Sequence, residues 1–168
     1  MTQSVSASLA RFDMERQGAA VYHAGLASGE KCYRGELMLQ SGSYLFEATG
    51  SKSNAYMAVG WVTDYNDSEG VAASSNGDNS TRLVIKDGSA WMRNGNPENS
   101  GYEISAADIG KLCYVVDGQH VALSGSASGG THECVAGTVD AFDSSNSPFS
   151  VLVRIDAHSV GAAGKRSA

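Results

Sequence analysis

The stretch KLCYVVDG, residues 111–118, places apolar residues just ahead of an Asp-Gly turn signal, and KCYRGELMLQSG, residues 31–42, echoes it about eighty residues earlier. Beyond this echo the two halves follow one order. GSYLFEATGSKSNAYMAVGWVTDY from Gly42 matches GQHVALSGSASGGTHECVAGTVDAF from Gly118: a turn glycine, an apolar strand, a Ser/Gly-rich connection and a further strand. Because repeating a supersecondary unit is a known way to build a β fold, the pattern predicts two related β lobes.

The composition favours an all-β protein. The 168 residues include 20 Gly and only 2 Pro, and short apolar runs alternate with turn signals at roughly eight- to twelve-residue spacing. A chain of this length can bury roughly 70% of the surface that its unfolded form exposes, so it needs no disulfide or metal to hold a core. The predicted fold is a compact β-barrel or β-sandwich built from two related β lobes, with an extended N-terminal arm.

Changes in composition along the chain divide it into five segments. Residues 66–81 are polar and carry no apolar stripe, which indicates a surface loop. RLVIKDGSAWMRNG alternates apolar residues around Asp87-Gly88, which favours a hairpin. The predicted organisation is therefore an arm at 1–20, a first β lobe at 21–65, a polar loop and connecting β-hairpin at 66–105, a second β lobe at 106–156 and a flexible tail at 157–168.

The strand NAYMAVGWVTDY, residues 54–65, has a glycine near its centre. Gly60 falls on Gly137 when the halves are aligned, and a glycine inside a strand indicates a bulge or a close backbone approach. Strict alternation along this strand predicts Val59 and Trp61 on one face. In the second half, Ser105 precedes a short polar stretch and predicts the cap of a single helical or 3₁₀ turn.

Charge and hydropathy argue against two classes of partner. The formal net charge is −6 and the twelve Lys and Arg residues are scattered singly, so there is no basic face for nucleic acid. The longest apolar run is far shorter than the 18 or so residues that span a bilayer, and the first residues carry no signal-peptide apolar segment. The sequence therefore predicts a soluble, unexported protein that binds neither nucleic acid nor membrane.

The residues that commonly carry chemistry do not form a recognisable site. Cys32, Cys113 and Cys134 have neither C-x-x-C nor finger-like spacing and are interpreted as small core residues. THEC, residues 131–134, puts a histidine two positions from a cysteine, but no further catalytic motif accompanies it. DYNDSEG, residues 64–70, lacks the glycine and closing glutamate of a calcium loop and is interpreted as a solvated turn. The sequence predicts a protein that is not an enzyme and needs no cofactor or metal.

Aromatic residues leave a second functional class open. Trp61, Trp91 and several tyrosines could offer ring faces to a sugar, as in a β-sandwich glycan-binding module. Most of them fall on the apolar side of predicted strands, so core packing is the favoured interpretation.

The order of phrases resembles the capsid decoration, or cement, proteins of tailed bacteriophages, as in Mu-like and related siphophages. The similarity covers most of the chain and is carried by five phrases: EKCYRGELMLQSGSYLFEA, AVGWVTDYNDSEG, LVIKDGSAWMRNG, ISAADIGKLCYVVDGQHVAL and AGTVDAFDSSNSPFSVLVRID. The chain departs from that family at Trp61, in the loop at 66–81 and in its tail.

This resemblance implies a protein made in the host bacterial cytoplasm and located on the outer capsid surface of the virion. Such a protein binds the expanded head, bridges subunits of the phage major capsid protein and forms homotrimers. A glycan-binding module displayed on the virion and a small head–tail structural protein remain alternatives.

The arm is the candidate capsid contact. Its apolar residues are too irregularly spaced to complete a β core, and its charges alternate in sign as in a segment laid across a mixed-charge surface. We expect it to lie extended over a neighbouring capsid or cement subunit, whereas a disordered end is the alternative. The candidate contact residues are Leu9, Arg11, Phe12, Asp13, Met14 and Arg16.

Overall fold

The computed structural model describes seven stretches of the chain: residues 21–53, 55–64, 70–78, 84–86, 88–95, 100–123 and 134–155. Within these stretches 50% of the residues lie in strands, and the one helical element is a 3₁₀ turn at Ala106–Asp108. The backbone N–H and hydroxyl of Ser105 both donate to the Asp108 carboxylate, at 2.9 and 2.7 Å, which closes this turn as predicted. The predicted all-β fold is confirmed.

The first lobe, residues 21–86, is a five-stranded antiparallel sheet with a small two-stranded ribbon. The sheet order is β1-β7-β5-β3-β4, and β2 pairs with β6 in the ribbon. Its strands are β1 Val21–His23, β2 Lys31–Cys32, β3 Leu37–Ser41, β4 Tyr44–Glu47, β5 Met57–Asp64, β6 Val71–Ala72 and β7 Val84–Lys86.

The second lobe, residues 88–155, is a closed five-stranded barrel. The order around the barrel is β10-β8-β12-β11-β9, with all neighbours antiparallel except β8 and β10, which run parallel and close it. Its strands are β8 Gly88–Asn94, β9 Leu112–Val115, β10 His120–Ala122, β11 Val135–Phe142 and β12 Val151–Ile155.

The two lobes share one connectivity. Exchanging β1, β3, β4, β5 and β7 for β8, β9, β10, β11 and β12 turns the first strand order into the second. The parallel closure recurs as well: the Ala27 N–H donates to the Leu45 carbonyl at 2.8 Å in the first lobe, and the Gly95 N–H donates to the Val121 carbonyl at 2.8 Å in the second. The prediction of two related β lobes is therefore confirmed at the level of strand order and register.

The strand register aligns the two halves differently from the similarity between KCY and LCY. Gly60 lies opposite Met38 and Gly137 lies opposite Cys113, and each glycine stands beside a β-bulge, as predicted for Gly60. Cys113 thus occupies the position of Met38. The echo of KCY with LCY is wrong in register, because Cys32 lies on the short ribbon strand β2 before the turn that leads into β3.

The predicted hairpin about Asp87-Gly88 is wrong. β7 pairs with β1 and β5, whereas β8 pairs with β10 and β12, so the chain passes from one lobe to the other between these strands. Gly88 has a φ of 106° and redirects the backbone at this crossing. Long-range pairing has outweighed the local turn preference, and the segment predicted as a connector at 66–105 contributes strands to both lobes.

The bulge in β5 decides which side chains face the second lobe. Ala58 and Trp61 join a core cluster shared by the two lobes, whereas Val59 and Val62 pack inside the first lobe. Strict alternation had placed Val59 and Trp61 together, and this is wrong because the bulge shifts the pleat between them. The shared cluster also contains residues from every strand of the second lobe.

We predict that Gly137→Ala destabilises the protein, because a Cβ at this position would overlap the backbone carbonyl of Arg154 on β12. Overpacking of this kind costs about 1–3 kcal/mol. Urea unfolding followed by circular dichroism measures the loss. Thr138→Ala, at the half-buried neighbouring position, is the control and should cost less; equal losses for the two variants would contradict the close approach.

Candidate binding surface

The predicted capsid contact lies outside the described residues. The structure therefore gives no placement for Leu9, Arg11, Phe12, Asp13, Met14 and Arg16, nor for the tail at 157–168. The loop at 66–81 is described only in part, from residue 70 to residue 78. The surfaces that the structure describes are those of the two lobes.

The outer face of the first lobe is formed by Leu37, Leu39, Ala58 and Trp61, and it packs against the second lobe. All four side chains are buried and belong to the core cluster that contains the interior of the barrel. Fully burying one leucine side chain contributes roughly 1.5–3 kcal/mol. This face is therefore the main apolar contact between the lobes.

Backbone and thiol contacts fix this junction. The Leu37 N–H donates to the Gly118 carbonyl at 2.8 Å, so the start of β3 is held against the β9–β10 turn. A bridge between Thr49 and Asp117 lies beside it. The Cys134 thiol donates to the Tyr56 carbonyl at 3.4 Å, which ties the start of β11 to the start of β5.

The equivalent face of the second lobe is exposed only in part, since Val135, the equivalent of Ala58, is buried. Leu112 opposes Thr138 as Leu37 opposes Trp61, so Leu112 is the repeat equivalent of Leu37. Leu37 is fully buried, whereas 40% of Leu112 is exposed. Tyr114, two residues along β9, is half-buried, and Ile109 in the preceding turn is 51% exposed. We call Ile109, Leu112 and Tyr114 the β9 patch.

A half-buried carboxyl group, that of Glu36, lies at the junction. A Cβ at Gly118 would lie 3.1 Å from the Glu36 side chain, and Glu36 Oε2 accepts a hydrogen bond from the Tyr33 N–H at 2.9 Å. Burial raises the pKa of Glu36 to about 7, and the nearby Glu47 and Asp117 carboxylates add to the rise against the lowering effect of the Tyr33 bond. Glu36 is therefore close to half-protonated at neutral pH.

Asp117, the second acid of the junction, stays charged. Burial acts to raise its pKa, but hydrogen bonds from the His120 side chain and from the Gln119 and His120 N–H groups outweigh this effect, and the net pKa is lowered. His120 Nδ1 lies 2.8 Å from Asp117 Oδ2. The Asp117 carboxylate thus organises the β9–β10 turn that was predicted from the Asp-Gly dipeptide.

The three cysteines are core residues, as predicted. All are free thiols with almost no exposed surface. Burial raises the pKa of Cys134 to about 12, which is opposite to the shift that activates a nucleophilic thiol. His132, its predicted neighbour in THEC, lies outside the described residues.

Aromatic side chains do not form a platform for sugar stacking within the described residues. Among those whose burial is described, Tyr33 alone is exposed, and Trp61 is buried at the lobe junction. Phe46 and Tyr56 meet edge to face beside Lys52, which lies over both rings and pairs with Glu30. These rings pack against the core, as the favoured interpretation predicted.

The described residues contain no group of three or more His, Cys, Asp or Glu side chains arranged to hold a metal ion. In that part of the chain, no helix is long and apolar enough to cross a membrane. Comparison with protein-family models, characterised proteins and solved structures finds no match.

Sequence reasoning missed the residues that define these surfaces. Glu36 and Leu112 carry no motif, and the signal that could have found them is the repeat itself. Aligning ELML, residues 36–39, with KLCY, residues 111–114, places Leu37 on Leu112 and shows that both lobes have an apolar residue at this position.

We predict that the Glu36→Gln variant loses part of the pH dependence of stability. The folded-state pKa of about 7 exceeds the ordinary value of 4.5, so the stabilising effect of the protonated form is complete below pH 4.5 and is lost as the pH rises through 7. Wild type should lose about 1–3 kcal/mol more than Glu36→Gln between pH 5 and pH 8. Urea titrations at both pH values measure this difference.

The control for this experiment is Glu103→Gln, which removes one carboxylate from an exposed position on the second lobe. It should behave as wild type does across the same pH range. A Glu36→Gln variant whose free energy of unfolding changes with pH as much as that of wild type would rule out Glu36 as the source.

Proposed function

We propose that this chain is a bacteriophage capsid decoration protein that binds the outer surface of the expanded head and stabilises the shell by bridging major capsid protein subunits. The proposal begins with the resemblance of five phrases spread along most of the chain. Its partners would be the phage major capsid protein and further copies of itself in a homotrimer, on the outside of the virion.

The observation that supports this function best is the duplicated lobe. Two modules of one design, joined by a shared apolar core, form a unit in which similar surfaces are held at a fixed distance and orientation. A protein that bridges neighbouring subunits of a repetitive shell needs such paired surfaces. The exposed β9 patch adds an apolar surface of the kind that protein–protein contacts use.

Shell stabilisation by such a protein follows from mass action. A ligand that binds the expanded shell but not its precursor stabilises the expanded state by an amount that grows with concentration over dissociation constant. No catalytic group or cofactor is needed for this effect. An arm that becomes ordered on docking would add contact area at an entropic cost.

We predict that purified virions contain the chain at a fixed molar ratio to the major capsid protein. The purified chain should also co-sediment with expanded, undecorated heads and leave unexpanded precursor heads unbound. Quantitative gel densitometry of gradient-purified particles measures both. Virions that lack the chain, or equal binding to precursor and expanded heads, would refute the proposal.

A second prediction concerns the arm. Deleting residues 1–18 should leave the melting temperature unchanged but reduce occupancy on expanded heads, because the arm carries Phe12 and alternating charges without a face that completes the core. Phe12→Ala in the full chain is the finer variant and should weaken binding in the same direction. Wild-type occupancy of the truncated protein would move the contact to the lobes.

A further inference from the structure

The β9 patch is the unused copy of the face that joins the two lobes. In the first lobe this face, which includes Leu37, is buried against the second lobe. In the second lobe its equivalent keeps Leu112 exposed. Repeat proteins in which each unit buries its face on the next need a polar outer face on the last unit, and the second lobe has an apolar one.

The other half of the same contact is also exposed. On the second lobe, the internal junction uses Cys134, which is 1% exposed and bonds to the Tyr56 carbonyl. Val135 lies opposite Tyr114, and Ala58 lies opposite Leu39, so Val135 and Ala58 are repeat equivalents. Cys134 and Met57 directly precede these two residues and are therefore equivalent to each other. Met57 is 38% exposed. Leu112 and Met57 are thus the exposed equivalents of Leu37 and Cys134, which contribute to the internal contact from its two sides.

We propose that copies of this chain associate head to tail, with the β9 patch of one copy against the Met57 end of the first lobe of the next. The contact would repeat between chains the one that joins the lobes within a chain. Such a heterologous contact uses two different surfaces and closes into a ring when the rotation permits. This inference rests on the self-association in the proposed function, and it names the surfaces.

Charge is compatible with this arrangement. Lys111, beside Leu112, has a largely exposed side chain and occupies the position that Glu36 has in the first lobe. Lys111 Nζ pairs with Asp108 Oδ1 at 2.8 Å, so this pair places no net charge beside the apolar patch, although the chain as a whole carries a formal net charge of −6. Glu36, by contrast, is half-buried beside Gly118 and lies near the Glu47 and Asp117 carboxylates.

Analytical ultracentrifugation of the full chain without capsids tests self-association. Wild type should form oligomers, and Leu112→Asp should raise the dissociation constant at least about tenfold, because burying an unpaired charge in an apolar contact is costly. The melting temperature should hold, since Leu112 is already exposed. Tyr33→Asp is the control: Tyr33 is 41% exposed and belongs to neither half of the contact. A monomeric wild type, or Leu112→Asp associating as tightly as wild type, overturns the proposal.

Cross-linking distinguishes head-to-tail from symmetric contact. Leu112→Cys and Met57→Cys proteins carrying different tags are mixed and treated with a short bismaleimide; the native thiols are buried and should not react. Products joining residue 112 of one copy to residue 57 of another support the proposal. Products that join 112 only to 112 overturn it. Because no capsid is present, this result is independent of whether the chain binds heads.

Discussion

Burial of the first lobe's outer face against the second lobe is the contact on which the rest of the structure depends. Leu37, Leu39 and Trp61 are all removed from solvent there, and the interior of the barrel joins the same cluster. A five-stranded module of this size has a small core of its own. Sharing one core lets each lobe add apolar burial that neither would reach alone, which raises the fraction of surface buried on folding.

The duplicated architecture keeps backbone features and changes side chains. The Gly35 and Gly110 N–H groups each donate at 2.7 Å to the equivalent valine carbonyl of β5 or β11, and each glycine has a φ of 88°. Side chains on this frame then diverge according to their surroundings. Trp61 fills the junction, whereas its equivalent, Thr138, is half-buried in the second lobe. The shared backbone geometry determines the fold of each lobe, and the side chains determine which of its faces is buried.

Local signals in the sequence predicted the parts of the fold that depend on local chemistry. The turn at Gly42, the Asp117-Gly118 turn and the Ser105 cap depend on interactions over a few residues, and each was found where the pattern placed it. The passage of the chain from the first lobe to the second at Gly88 depends on which distant strands pair with β7 and β8. A local dipeptide carries no information about that pairing. The candidate surface was the part least predictable from the sequence. The properties of Glu36 and Leu112 depend on which parts of the other lobe cover them.

The turns that lead into β3 and β9 have the same backbone geometry but place their acidic residue at different positions. Both turns have a hydrogen bond from the N–H of the fourth residue to the carbonyl of the first, between Glu36 and Tyr33 and between Lys111 and Asp108. In the first lobe the acid is the fourth residue, and burial at the junction raises its pKa. In the second lobe the acid is the first residue, and Lys111 and the Ser105 hydrogen bonds lower the pKa of Asp108 to about 2. Asp108 is only 6% exposed, so its charge-stabilising partners, rather than exposure to solvent, separate this ionised carboxylate from the easily protonated Glu36.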